Sequence, residues 1–170
     1  TSTQIGGWYL NSIVVALGVK VVTITSSFLC AYALSQLRFP GRRMLWALIL
    51  ASFMVPTQAL IINHFVLVAQ MGLLNTWAGV MLPQLLHPVI IIVYKQFFDQ
   101  VPKDFREAAV MDNASEWAIL FKVYLPMNWG VTTALSIVTF IWTWNAFLWP
   151  FLSITKTEMM TITVGITQVN

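Results

Sequence analysis

The sequence has few charged residues and a single cysteine. Charged side chains make up 9% of the 170 residues and hydrophobic ones 58%, with a mean hydropathy of +0.77. A soluble domain is about 25% charged, so this composition excludes an ordinary soluble domain and indicates a membrane protein. The lone Cys30 lies within an apolar run, which excludes an internal disulfide or a thiolate metal cage. No metal site is expected.

Other absences limit the function further. The sequence contains no GxxxxGK[ST] motif, so the chain itself is not expected to bind or hydrolyse ATP. The basic residues are few and scattered between apolar runs, which argues against nucleic acid as a partner. No cofactor is indicated. The chain begins at Thr1 without a signal peptide and stops just after a polar segment, so truncation at both ends is expected.

Long apolar runs predict an all-α, polytopic membrane protein. Each run is long enough to cross about 30 Å of hydrocarbon as a helix. Nothing alternates with period two, as a membrane barrel would require. Pro56, Pro83 and Pro88 are expected to kink or interrupt their helices. The sequence thus predicts one permease domain over residues 1–170 with four spans, at about 12–37, 44–69, 77–94 and 127–152.

The distribution of lysine and arginine predicts the orientation. Basic residues concentrate at 38–43 and 95–126, whereas the loop between the second and third spans has none and the tail after the fourth has only Lys156. By the positive-inside rule the loops 38–43 and 95–126 are cytoplasmic. A multi-pass protein of a plasma membrane fits this alternation.

The charged segment at 99–126 reads as two short helices. Pro102 suits a first helical turn, and Asn113 can either cap the second helix in a capping box with Glu116 or adopt a left-handed turn. Phe105, Ala108, Ala109 and Asp112 fall at helical spacings, which predicts one shared face. Periodicity leaves two uses open: docking of another protein, or an amphipathic connector on lipid headgroups.

The spacing of this segment resembles the signature loop of the membrane subunits of ABC importers. Glu107, Ala108 and Ala109 match its EAA, Asn113 stands at its glycine, Val123 at its isoleucine, and Leu125 with Pro126 at its Leu-Pro. Further stretches are similar to the carbohydrate-importer permeases, a group that includes glycerol-phosphate permeases. They are "WYLNSIVVALG", "AYALSQLRFPGRR", "MVPTQALIIN", "MGLLNTWAGVMLP" and "TFIWTWNAFLWP".

This resemblance implies a type I, MetI-like helical bundle that is not an enzyme and has no catalytic residues. It implies a loop at 99–126 that couples to a cytoplasmic ATP-binding subunit dimer, a second homologous permease subunit, and an extracytoplasmic solute-binding protein. The substrate would be a sugar or a related polyol or glycerol phosphate. One further span is implied before Thr1 and one after Asn170. The coupling residues would be Glu107, Ala108, Ala109, Asp112, Asn113, Leu125 and Pro126.

Polar residues within the apolar runs leave alternatives open. Trp142, Trp144 and Asn145 could contact a sugar, or they could serve as interface anchors and as a hydrogen bond across helices. Lys20, His64 and His87 would serve an ion-gradient-driven transporter or channel, which is the main rival interpretation. A membrane-embedded enzyme would need Cys30 paired with a histidine, and no motif supports that pair.

Overall fold

The computed structural model describes the backbone from Ser2 to Gln168 and the side chains from Gln4 to Gln168. All the regular structure in this part of the chain is helical. The α-helices are α1 (Ser2–Gln36), α2 (Arg42–Phe53), α3 (Ile61–Gln70), α4 (Trp77–Met81), α5 (Pro88–Asp99), α6 (Lys103–Met111), α7 (Glu116–Ile119), α8 (Leu125–Met127), α9 (Trp129–Trp144), α10 (Leu148–Ser153) and α11 (Ile162–Thr167). Short 3₁₀ turns cover Thr57–Leu60, Leu82–Gln84 and Thr157–Met159, and a π-helical turn covers Leu120–Tyr124.

One helix in the described part of the chain is long and apolar enough to cross a membrane. It is the Gln4–Gln36 portion of α1. Two interrupted pairs also qualify if each counts as one span: Arg42–Phe53 with Thr57–Gln70, and Trp77–Gln84 with Pro88–Asp99. The predicted span at 127–152 is divided, because α9 is only 16 residues long and ends at Trp144 before α10 begins. The count of four spans therefore stays a prediction.

Proline explains the two interruptions, as the sequence predicts. Pro56 has extended backbone, with φ −65° and ψ 127°, and lies between the end of α2 and the following 3₁₀ turn. Pro83 lies in the first positions of the turn Leu82–Gln84, and Pro88 is the first residue of α5. A proline lacks the N–H that would continue a helix, so each of these positions ends one helical segment or begins another.

The chain divides into two compact units, described separately below. The first unit contains residues 1–23, 55–86 and 137–170, and the second contains 24–54 and 87–136. The charged segment at 99–126 belongs to the second unit. This division does not test the prediction of a single permease domain, which stays a prediction.

The core of the second unit is aromatic. Phe98, at the end of α5, is fully buried and lies edge-on to Phe28 at 5.1 Å and to Tyr124 at 5.5 Å between ring centroids. Tyr32 of α1 meets Tyr124 at 5.1 Å with an interplanar angle of 77°. Edge-to-face contacts of this kind add about 0.5–1.5 kcal/mol each beyond the burial of area. They fix α1 and α5 to the segment that follows α7.

In the first unit, buried polar side chains join segments that are distant in sequence. Asn11 donates to the carbonyls of Glu158 (2.8 Å) and Met160 (3.0 Å), and Ser12 accepts from the backbone N–H of Ile162 at 2.8 Å. Trp8 donates to the carbonyl of Thr157 at 2.8 Å. These bonds satisfy backbone groups that the irregular stretch before α11 leaves without helical partners.

Candidate coupling surface

The helix α6 exposes one face and rests on the other. Glu107, Ala108 and Phe105 are exposed, with Phe105 at 50%, whereas Arg106 and Ala109 are partly buried. Ala109 packs against the aromatic core of the second unit. Ala109 is therefore less open than Phe105, Ala108 and Asp112, and its place on a docking face stays a prediction. Its small side chain lets the helix approach the core closely.

The turn after α6 has the conformation that the sequence predicts, but a different residue caps the next helix. Asn113 has φ 55°, in the left-handed region that Gly and Asn adopt most readily. An N-cap needs extended backbone, so Asn113 in this conformation cannot cap α7, and the predicted capping box is wrong. Ser115 is the cap: its φ is −68° and its ψ 157°, and its hydroxyl accepts from the N–H of Ala118 at 3.2 Å.

Glu116 joins α6, α7 and α1. One of its carboxylate oxygens accepts from the Arg106 guanidinium, and the other accepts from the Tyr32 hydroxyl at 2.6 Å. Burial lowers the pKa of Arg106, but the bond and charge of Glu116 outweigh this and raise the pKa above its usual value. Arg106 stays protonated, so the link persists over the physiological pH range. Sequence reasoning missed it because Tyr32 and Glu116 are far apart in the chain.

The segment leading to α9 is anchored at some positions and open at others. Tyr124 and Asn128 are buried, and Asn128 donates through its side chain to the carbonyl of Tyr124 at 2.8 Å. Leu125 is partly buried and packs against the aromatic core, whereas Pro126 is exposed in the first turn of α8. Of the last two predicted coupling residues, Leu125 therefore anchors the loop, and Pro126 lies at its junction with α9.

The loop that carries Glu107 and Ala108 also exposes large apolar side chains. Met111 is 83% exposed, and Trp117 (64%) stacks on Phe121 (51%) with 6.1 Å between ring centroids. Exposed apolar groups gathered on one segment are typical of a surface that contacts a partner or a membrane. We use "loop surface" for the exposed residues Phe105, Glu107, Ala108, Val110, Met111, Asp112, Asn113, Trp117 and Phe121.

The predicted substrate residues lie at the end of α9 in the first unit. Trp144 stacks on Phe140 at 5.7 Å and contacts Tyr9 at 6.1 Å, while Trp142 is 48% exposed. The Asn145 side chain donates to the carbonyl of Ile141 at 2.8 Å, within the same stretch of chain. This amide nitrogen therefore closes the end of its own helix, and a bond across helices stays a prediction.

A cavity of about 230 Å³ in the first unit begins just after these residues. Its lining combines aromatic and amide side chains and consists of Thr57, Gln58, Ile61, His64, Pro83, Gln84, Ala146, Phe147, Leu148 and Trp149. The ring of His64 meets that of Trp149 edge-on at 6.2 Å. Trp142, Trp144 and Asn145 do not line it. In the part of the chain that the structure describes, no three His, Cys, Asp or Glu residues are grouped to hold a metal ion.

Comparison with known proteins agrees with this architecture. A family model described as "Binding-protein-dependent transport system inner membrane component" matches residues 23–168. The chain belongs to this family. As a family member it is an inner-membrane protein with a MetI-like helical fold, and the family consists of transport components rather than enzymes.

Several relatives are named for the transport of carbohydrates or glycerol phosphate. The chain is 30% identical over 159 residues to the arabinooligosaccharides transport system permease protein AraQ of Halalkalibacterium halodurans, covering 94% of the chain and 57% of the relative. It is 33% identical over 165 residues to the sn-glycerol-3-phosphate transport system permease protein UgpE of Pectobacterium atrosepticum, covering 97% and 59%. It is 34% identical over 156 residues to the lactose transport system permease protein LacG of Rhizobium radiobacter, covering 92% and 57%.

A solved structure has the same fold. It is the crystal structure of a bacterial ABC transporter involved in the import of the acidic polysaccharide alginate, with a TM-score of 0.88 and 27% identity. The match covers 95% of this chain and 57% of that one. The chain thus spans a little under three fifths of the length of the relatives that it matches.

Proposed function

We propose that the chain is a permease subunit of an ATP-driven, binding-protein-dependent importer, and that the loop surface docks on a cytoplasmic ATPase subunit. The observation that carries this proposal is the exposed Glu107 and Ala108 on a helix whose opposite side is fixed by Ala109, Arg106 and the aromatic core. A helix held in this way can pass a rigid-body movement to α9, whereas a flexible loop would absorb it.

The predicted coupling residues have two different roles in this proposal. Glu107, Ala108 and Asp112 are exposed and supply direct contact with the ATPase, whereas Asn113 sets the turn after α6. Ala109, Leu125 and Pro126 act on the inner side or at the joint with α9. The partners would be an ATPase dimer, a second permease subunit and an extracytoplasmic solute-binding protein.

The proposed substrate is a sugar or a related polyol or glycerol phosphate. The printed names of the relatives include arabinooligosaccharides, lactose and sn-glycerol-3-phosphate, all of which carry several hydroxyls. The first-unit cavity suits such groups, because aromatic faces contact sugar rings and the Gln58 and Gln84 amides can bond hydroxyls. At about 230 Å³ it is smaller than typical drug-sized sites and would admit one ring.

The proposed topology has four spans in this chain. The first is α1, the second and third are the two interrupted helix pairs, and the fourth is α9 together with α10. Segments 38–43 and 95–126 would face the cytoplasm because they hold most of the basic residues. This orientation puts the loop surface on the side where ATP is available.

Charge reversal at Glu107 tests the proposal. The full-length protein is purified in detergent from its native host as the parent, as Glu107→Lys and as Glu158→Lys. Glu158 is also exposed but lies in the tail predicted to be extracytoplasmic. Glu158→Lys therefore controls for the charge reversal itself. We expect the ATPase subunit to co-purify with the parent and the control, and to be lost or uncoupled from transport in Glu107→Lys.

The rival is a transporter driven by an ion gradient, with Lys20, His64 or His87 in its path. Lys20 is only partly buried in α1, and His64 lines the first-unit cavity. If no ATPase co-purifies with any variant, and uptake persists without ATP but stops when the ion gradient collapses, the importer proposal is wrong and this rival replaces it.

A further inference from the structure

A polar cavity of about 700 Å³ lies beside the loop surface, entirely within the second unit. It is lined by four basic side chains, three acidic ones and four others: Ser35, Gln36, Leu37, Arg38, Arg42, Asp99, Val101, Lys103, Arg106, Glu107 and Glu116. We use "basic cleft" for this cavity. Proposed coupling to an ATPase uses Glu107 at the edge of the cleft and leaves its other charged residues unexplained.

Two of the three acids in the basic cleft already have cationic partners. Asp99 accepts from Lys95 at 2.6 Å and from the Ser35 hydroxyl at 2.5 Å, and Glu116 is bonded to Arg106 and Tyr32. Arg38, Arg42 and Lys103 make no ion pair with any residue that the structure describes. Glu107 is the remaining acid. The cleft thus has a surplus of positive charge.

Backbone dipoles add to this positive charge. Two helices begin at the cleft: Arg42 is the first residue of α2 and Lys103 the first of α6, and neither helix has a side-chain N-cap. The first turn of α6 already carries Asp104, whereas that of α2 has no acidic residue. The N–H groups of an uncapped first turn attract anions. These features all favour an anionic acceptor with several oxygens.

We propose that the basic cleft binds a phosphate-bearing anion. Phosphate oxygens match guanidinium donors in geometry and charge. The cleft opens where α1, the helix long enough to cross the membrane, ends at Gln36. Basic pockets at the cytoplasmic ends of membrane helices bind anionic lipid headgroups, so a phospholipid headgroup is the favoured source and free phosphate the other. The choice of a lipid headgroup rests on the proposed cytoplasmic orientation of this segment, but it does not depend on coupling to an ATPase.

Lipid titration of the full-length protein tests this proposal. Native mass spectrometry in detergent measures binding of phosphatidylglycerol to the parent, to Arg38→Gln/Arg42→Gln and to Arg43→Gln. Arg43, the second residue of α2, is exposed and does not line the cleft, so it is the matched control. Each basic residue near an anionic lipid is expected to strengthen binding by a little over fivefold. We therefore expect affinity for phosphatidylglycerol to be about 30-fold weaker in the double variant and nearly unchanged in the control.

A second variant and a second ligand complete the test. Lys103→Gln is expected to weaken phosphatidylglycerol binding about fivefold, which guards against misfolding of the double variant.

Titration with inorganic phosphate separates the two sources of the anion. Displacement of the lipid by millimolar phosphate would identify a soluble phosphate site, and no displacement would identify a lipid headgroup site. Either result supports the proposal.

Three outcomes would overturn it. The double variant could retain the parent's affinity for both phosphatidylglycerol and phosphate. The Arg43→Gln control could lose as much as the double variant, which would indicate a diffuse surface charge. The double variant could keep its lipid and phosphate binding but lose a protein partner, which would assign the cleft to an acidic protein segment instead.

Discussion

The two units of the chain stabilise their irregular segments by different means. In the second unit, aromatic rings and one charged link fix the loop from both sides, with Phe98 and Tyr32 contacting Tyr124. In the first unit, single polar side chains such as Asn11 and Asn75 reach across to backbone groups of the tail. Rings packed edge to face resist displacement as a body, whereas each polar bond can break alone. The difference suits the transmission of movement that we propose for the loop, and it suits a first unit whose helices are interrupted.

The largest expected effect on stability comes from a substitution that removes the centre of the aromatic core. Phe98→Ala deletes a fully buried ring with four aromatic neighbours, so we expect a loss of about 3–5 kcal/mol in the free energy of unfolding. Phe97→Ala, at a neighbouring side chain that is 43% exposed, is the control and should cost far less. Chemical denaturation in detergent measures both.

Hydrogen exchange then shows whether the loss is local. Amide exchange in Phe98→Ala should rise across α6 and α7, while exchange near Thr157–Met159 stays as in the parent. Equal acceleration in both units would remove the distinction between them.

The second-largest expected loss of stability comes from a substitution in the first unit. Asn11→Ala removes two bonds to carbonyls and an acceptor for the Trp77 indole N–H (3.1 Å), so we expect a loss of about 2–4 kcal/mol. Asn63→Ala, at an exposed position in α3, should change stability little. Exchange in Asn11→Ala should rise near Met160 and leave α6 unchanged. A loss no larger than that of Asn63→Ala would contradict the role given to these bonds.

The smallest effect concerns the turn at Asn113. Asn113→Gly keeps the left-handed conformation, so stability should stay within about 0.5 kcal/mol, whereas Asn113→Val should lose about 1–2 kcal/mol because a branched side chain is strained at φ 55°. Thermal unfolding of the purified protein measures both. Similar values for the two variants would show that the turn relaxes freely and does not position α6.

Features set by one residue or by local spacing could be predicted from the sequence. Proline fixes where helices stop, so the interruptions at Pro56 and Pro83 follow from chemistry alone, and the left-handed turn at Asn113 follows from its side chain. The resemblance on the EAA loop identified the family correctly. Local rules sufficed in each of these cases.

Features that depend on tertiary packing could not be predicted. The choice of Ser115 over Asn113 as the cap depends on backbone angles that spacing does not determine. Whether Ala109 faces outward depends on where the aromatic core lies, and Tyr32 meets Glu116 only because the fold brings α1 to α7. The end of α9 at Trp144 falls within an uncharged apolar run, in which hydropathy marks no boundary.

Site-directed cross-linking tests the central proposal most directly. Ala108→Cys and Glu158→Cys are each made in full-length protein with Cys30→Ser, which removes the chain's only cysteine. The complex in native membranes is treated with a short cysteine-to-amine cross-linker. We predict an adduct with the ATPase subunit from position 108 and none from position 158. If position 108 forms no adduct while the ATPase still co-purifies with the complex, the loop surface is not where the ATPase docks.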